Sequence, residues 1–151
     1  MDINTMILED TIEFDVELSD QNEVLSYITE TLERTGRIDD REKVLAAYIE
    51  REEECTTGIG FGLAIPHCKS DNVKEPTIVY MTLKDLVEWE ALDGEPVKYI
   101  IALAIPKKDE GTLHLEILSS LASNLMEDDF KDTLFEMNEK TELINFLKNN
   151  I

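Results

Sequence analysis

Apolar and polar positions change period several times along this chain, and each change marks an element. The run from Thr11 to Val16 alternates apolar with polar or acidic residues, which predicts a short strand. Ser19 or Asp20 then offers an N-cap, and Val24, Leu25, Ile28 and Leu32 fall on one helical face until Gly36 supplies a stop. Asp39 or Asp40 opens a second helix, whose stripe is Val44, Ala47 and Tyr48 with Leu45 and Ile49 beside it. A glycine-rich stretch follows and leads into the short apolar run that ends at His67.

Beyond that point the period becomes that of strands. Thr77 to Leu83 is rich in β-branched residues, and Val87 to Glu90 alternates as a short edge strand would. Asp93-Gly94 is a turn signal. The run from Val97 to Ile105 is almost wholly apolar, as in a central strand covered on both faces, and Pro106 ends it. Leu113 to Met126 reads as a helix with Leu115, Leu118, Ala122 and Leu125 at matching spacing. Two shorter helices follow, at 128–137 and 141–149. Strands in the middle with helices before and after predict an α/β fold, a single-domain sandwich over residues 1–151 with a central mixed β-sheet flanked by helices on both faces. Helices and strands do not alternate strictly, so a doubly wound sheet is not expected.

Length and charge narrow the function. At 151 residues the chain is long enough to bury about 70% of its unfolded surface without disulfides or a structural metal. There are 14 Lys and Arg against 34 Asp and Glu, and that surface repels nucleic acid and anionic lipid while favouring a partner with a basic face. Solubility alone also accounts for such a charge. Cys55 and Cys68 form no C-x-x-C pair, which fits reduced thiols in a cytoplasmic protein. The N-terminal residues lack the pattern of a signal peptide, and the longest apolar run, from Tyr99 to Pro106, is too short to cross a membrane.

The candidate chemistry lies between Gly58 and Cys68. Gly58, Gly60 and Gly62 alternate, but Leu63 and Pro66 exclude a dinucleotide fingerprint, and there is no P-loop lysine. One reading is an ordinary tight turn before a strand. The other is a turn that exposes backbone N–H groups to an anion or a partner, ahead of a stiff segment delivering His67. Neutral imidazole is a good nucleophile near pH 7, and Pro66 restricts how the ring is presented. Phosphoryl transfer rewards such positioning.

Two further residues suit the same chemistry. His114 shares a stripe with Leu118, Leu121 and Leu125 at the start of a helix that Thr112 can cap, a place that favours anions and neutral imidazole. A half-buried histidine bonded to a backbone carbonyl is equally compatible. Arg51 continues the stripe of Val44 and Tyr48 near the end of the second helix. It either grips a phosphoryl group or pairs with its glutamate neighbours and the helix dipole. Cys68, adjacent to His67 in an extended segment, points to the opposite face and is poorly placed as a catalytic partner. Two histidines and scattered cysteines do not make a zinc site, so no metal or other cofactor is expected.

The stretch from Glu52 to Cys68 resembles the signature of the type-2 enzyme IIA domains of the phosphoenolpyruvate-dependent sugar phosphotransferase system, the fructose–mannitol class. The match comprises Glu52, Ile59-Gly60, Leu63-Ala64-Ile65, Pro66, His67 and a small residue at Cys68. Arg51 and the His114-Leu115-x-x-Leu118 run also match the family, and Trp89 to Val97 is similar to its fructose-specific members. The resemblance implies that His67 accepts a phosphoryl group from the phosphocarrier HPr, holds it on Nε2 and donates it to a cysteine of an enzyme IIB domain on a separate chain. It implies that Arg51 and His114 stabilise the transferring charge and orient the ring. A regulatory, nitrogen-type IIA protein is the alternative within the same fold.

Overall fold

Parallel and antiparallel ladders combine in one six-stranded sheet. The computed structural model describes residues 5–109 and 111–151, with the backbone alone at positions 113 and 114. The strands are β1 (Ile12–Val16), β2 (Gly58–Gly60), β3 (Leu63–Ala64), β4 (His67–Ser70), β5 (Thr77–Val87) and β6 (Val97–Pro106). The helices are α1 (Gln21–Arg34), α2 (Arg41–Glu54), α3 (Leu113–Leu125), α4 (Asp128–Glu136) and α5 (Lys140–Asn150). Across the sheet the order is β1-β5-β6-β3-β2, with β4 also on β6. β5 and β6 are antiparallel, while β1 runs parallel to β5, and β3 and β4 run parallel to β6.

The local signals in the first half act as the sequence predicts. Asp20 caps α1 by accepting from the Glu23 amide, and Asp40 caps α2 by accepting from the Lys43 amide. Ser19 serves the same end differently, donating its hydroxyl to Glu23 at 2.7 Å. Gly36 takes φ +77, which stops the chain from continuing α1.

Strand β6 explains its own composition. Ile100, Ala102 and Ala104 enter the core layer beneath α1 and α2, whereas Ile101, Leu103 and Ile105 enter the layer beneath α3, α4 and α5. Neither face meets water, so both sets of alternating residues are apolar. Helices on both faces of a mixed sheet are therefore the observed architecture.

Three local expectations need correction. Val87 to Glu90 is not a separate strand. Val87 ends β5, opposite Val97, and Glu90 takes φ +57, which breaks extended backbone. Its alternation has another origin: Val87 and Trp89 are both buried, but the Trp89 carbonyl accepts from the Thr56 hydroxyl instead of a strand neighbour. Thr112 has a helical backbone and makes no capping bond for α3. On α3 the core residues are Ile117, Leu121 and Leu125, while Leu115 is 61% exposed and Ala122 is exposed. A helix this apolar offers more than one stripe, and docking on the sheet chooses between them.

Segments β3 and β4 hold a single register on β6. Leu63 faces Tyr99 and Ala64 faces Ile100; His67 then faces Leu103 and Cys68 faces Ala104. They are thus one strand interrupted at Ile65 and Pro66, and His67 resumes the pairing.

Candidate functional site

Pro66 has no N–H to give the ladder. Its carbonyl still accepts from the Leu103 amide at 2.9 Å, which keeps the strand in place across the proline. Residues paired across two strands share a face. Leu103 belongs to the layer beneath α3, so His67 lies on that face of the sheet, and Cys68 belongs to the opposite layer beneath α2.

The His67 ring is held at both nitrogens. It is 6% exposed. Nδ1 lies 2.9 Å from the Ile65 carbonyl oxygen, and a carbonyl only accepts, so Nδ1 carries the proton. Arg51 Nε–H donates to Nε2 at 3.0 Å, so Nε2 carries the lone pair. The two contacts agree on one neutral tautomer. Arg51 is anchored in turn: its Nη1 donates to the Cys55 carbonyl at 2.7 Å, at the C-terminus of α2. A guanidinium there meets the negative end of the helix dipole. An open cleft of about 220 Å³ lies at this point, lined by Ala47, Glu50, Arg51, Glu54, His67, Cys68 and Lys69.

Behind the ring is a second set of bonds. Glu52 accepts from the Thr57 hydroxyl and from the Thr57 amide. Trp89 Nε1–H donates to the same hydroxyl oxygen at 3.2 Å. The Thr57 carbonyl accepts the Ile65 amide at 3.0 Å. On the other side of the strand, Tyr48 is buried and donates to the Leu103 carbonyl at 2.8 Å. Cys68 sits beside it, and burial pushes its thiol up to about 12.

The structure brings Arg51 and His67 together, and it turns Cys68 to the opposite face of the strand from His67, toward Tyr48, although Cys68 lines the same cleft. His114 is the second residue of α3; its side chain lies outside the described residues. The glycine turn lies away from His67 along the strand. Leu63 pairs with Tyr99 and His67 with Leu103, so the turn is about 13 Å away along the strand at roughly 3.3 Å per residue. Its Phe61 amide donates to Asp93, a carboxylate of the protein itself. Sequence reasoning overlooked the Ile65 carbonyl and Thr57. A backbone acceptor carries no side-chain signal, and Thr57 is unremarkable by type. Among the described residues, no three His, Cys, Asp or Glu side chains are grouped to hold a metal ion.

The family model for the EIIA 2 component of the phosphoenolpyruvate-dependent sugar phosphotransferase system matches residues 5–150. The chain belongs to that family. It is 34% identical over 139 residues to the fructose-specific EIIA component of Haloferax volcanii, a match covering 92% of this chain and 90% of that one. It is 32% identical to the fructose-specific EIIABC component of Bacillus subtilis, covering 97% of this chain and 23% of that longer protein. Among solved structures, the nitrogen regulatory protein IIA-Ntr from Neisseria meningitidis superposes with a TM-score of 0.88 at 28% identity, covering 96% of this chain and 98% of that one. The fold is thus that of phosphotransferase-system IIA domains. No helix among the described residues is long and apolar enough to cross a membrane.

Proposed function

We propose that this domain is a cytoplasmic phosphocarrier that accepts a phosphoryl group from HPr on Nε2 of His67 and passes it to a cysteine of an enzyme IIB domain, in the service of fructose-type sugar uptake. The observation that carries this reading is the ring's tautomer. With Nδ1–H donating to the Ile65 carbonyl, the lone pair of Nε2 is the nucleophile. In the transfer, the donor's N–P bond breaks as the Nε2–P bond forms. The imidazole then gains positive character, which the carbonyl at Nδ1 favours. Arg51 moves from the ring to the phosphoryl oxygens, a shift that its tether at Cys55 keeps short. His114, in the family's position for a second histidine, donates to the same group. The fructose-specific names of the relatives support the sugar, and the excess of acidic residues supports a partner with a basic face.

Incubation with phosphoenolpyruvate, enzyme I and HPr tests the proposal. One acid-labile phosphate is expected per chain, absent in His67→Ala; phosphorylation of that variant would overturn the assignment. Adding fructose-type IIB domains separates transport from regulation. A phosphorylated protein that no IIB discharges would favour the nitrogen-type regulatory reading instead.

A further inference from the structure

The geometry points to Glu52 as a positioning residue for His67, acting through Thr57 and the backbone on either side of the Ile65 Cα to keep the ring in its Nδ1–H tautomer. This inference rests on the phosphocarrier reading for its purpose, though not for its geometry.

The chain of bonds has a fixed direction at every link. Trp89 Nε1–H can only donate, and it gives its proton to the Thr57 oxygen. The Thr57 hydroxyl proton must then go elsewhere, and it goes to Glu52. The Thr57 amide donates to the other Glu52 oxygen at 3.1 Å. Glu52 therefore grips Thr57 at two donors, the amide and the hydroxyl. With Thr57 fixed, its carbonyl takes the Ile65 amide at 3.0 Å, and the carbonyl of Ile65 takes the Nδ1 proton of His67 at 2.9 Å.

This bond network has an economical origin in α2. Arg51 and Glu52 are consecutive residues of its last turn. Arg51 reaches the Nε2 side of the ring directly, and Glu52 reaches the Nδ1 side through two backbone units. Ile65 most needs outside support, because it lies where the pairing of β3 and β4 to β6 is interrupted and precedes Pro66, which donates nothing. The Ile65 amide and carbonyl belong to successive peptide groups joined at its Cα, so loss of the Thr57 bond would let that joint relax and turn the carbonyl, the Nδ1 acceptor, away. The ring would then populate the Nε2–H tautomer, which has no lone pair at the attacking nitrogen.

The experiment uses the full chain, unphosphorylated, with its histidine ring nitrogens labelled with nitrogen-15, and reads the His67 tautomer from their chemical shifts. Wild type is expected to show Nδ1–H almost alone. Glu52→Ala should shift the ring toward a mixture and lower the rate of phosphoryl acceptance from phospho-HPr by about tenfold, as when a group orienting a reactive histidine is removed. Thr57→Val should act in the same direction, and Thr57→Ser should restore wild-type behaviour, since only the hydroxyl is needed; this pair decides the matter if Glu52→Ala does not fold. An unchanged His67 tautomer in folded Glu52→Ala or Thr57→Val would overturn the inference, even if transfer slowed. Failure of wild type to accept phosphate would overturn the phosphocarrier reading and leave the tautomer result standing.

Discussion

Arg51 Nε stands 3.0 Å from His67 Nε2, so a guanidinium occupies the direction from which the ring's lone pair would attack. The two residues are 16 apart in sequence and belong to different layers of the fold. The contact is compatible with chemistry because Arg51 is also tied to the Cys55 carbonyl, and need only swing to follow an incoming phosphoryl oxygen.

Replacing Arg51 should therefore affect transfer more than folding. Arg51→Ala is expected to slow phosphoryl acceptance by about 100-fold, the order seen when one preorganised charge-stabilising group is lost. Arg51→Lys should recover only part of that loss, because an ammonium cannot hold the helix end and the phosphoryl group as a fork does. Rapid-quench transfer from phospho-HPr measures both rates. Wild-type rates in Arg51→Ala would remove it from the site.

The two thiols should behave oppositely. Cys55 is exposed and Cys68 is buried, so a thiol reagent at pH 8 should modify Cys55 alone in the native protein and both in urea. Burial raises the Cys68 thiol from its ordinary value near 9 to about 12, and it raises Tyr48 as well. The folded state then holds protons that the unfolded state releases. The stability that these groups contribute is complete below pH 9 and falls as the pH rises from about 9 toward 12. Urea midpoints measured from pH 8 to 11 should decline, and less steeply in Cys68→Ala. An equal slope in the variant would show that Cys68 is not responsible.

Gly58 is required for packing. A Cβ built there would lie 2.8 Å from Ala91 Cβ and 2.9 Å from Ala91 Cα, which is backbone and cannot give way cheaply. Gly58→Ala should destabilise the fold by about 1–3 kcal/mol, the usual range for overpacking. The same change also strains the neighbourhood of Trp89, whose Cδ1 would be 3.1 Å away. Urea unfolding checks the value, and an unchanged midpoint would refute the argument.

Much of the layered fold was legible because its signals are local. Asp20, Asp40 and Gly36 act within a turn of where they stand, and the apolar run of β6 records burial on both faces. Trp89 and α3 were misread where a local pattern had two solutions. Alternation at Val87 and Trp89 describes two buried side chains equally well in a strand or in a loop, and α3 has apolar residues on more than its docking face. Of the two readings of the glycine segment, packing favours the ordinary turn: glycine content reports backbone freedom, not what fills the space, and Ala91 and Asp93 fill it.

By itself, the sequence determined the α/β class, the capped helices, the central strand and the family signature that makes His67 and Arg51 candidates for phosphoryl chemistry. Each depends on the chemistry of a residue or on periodicity within one element. Only the tertiary structure decided how the two nitrogens of His67 are engaged, Nδ1 by the Ile65 carbonyl and Nε2 by the Arg51 guanidinium. That depends on a carbonyl two residues back and a guanidinium from another layer, and hydrogen bonds between distant backbone and side-chain groups form only once the sheet and α2 have packed.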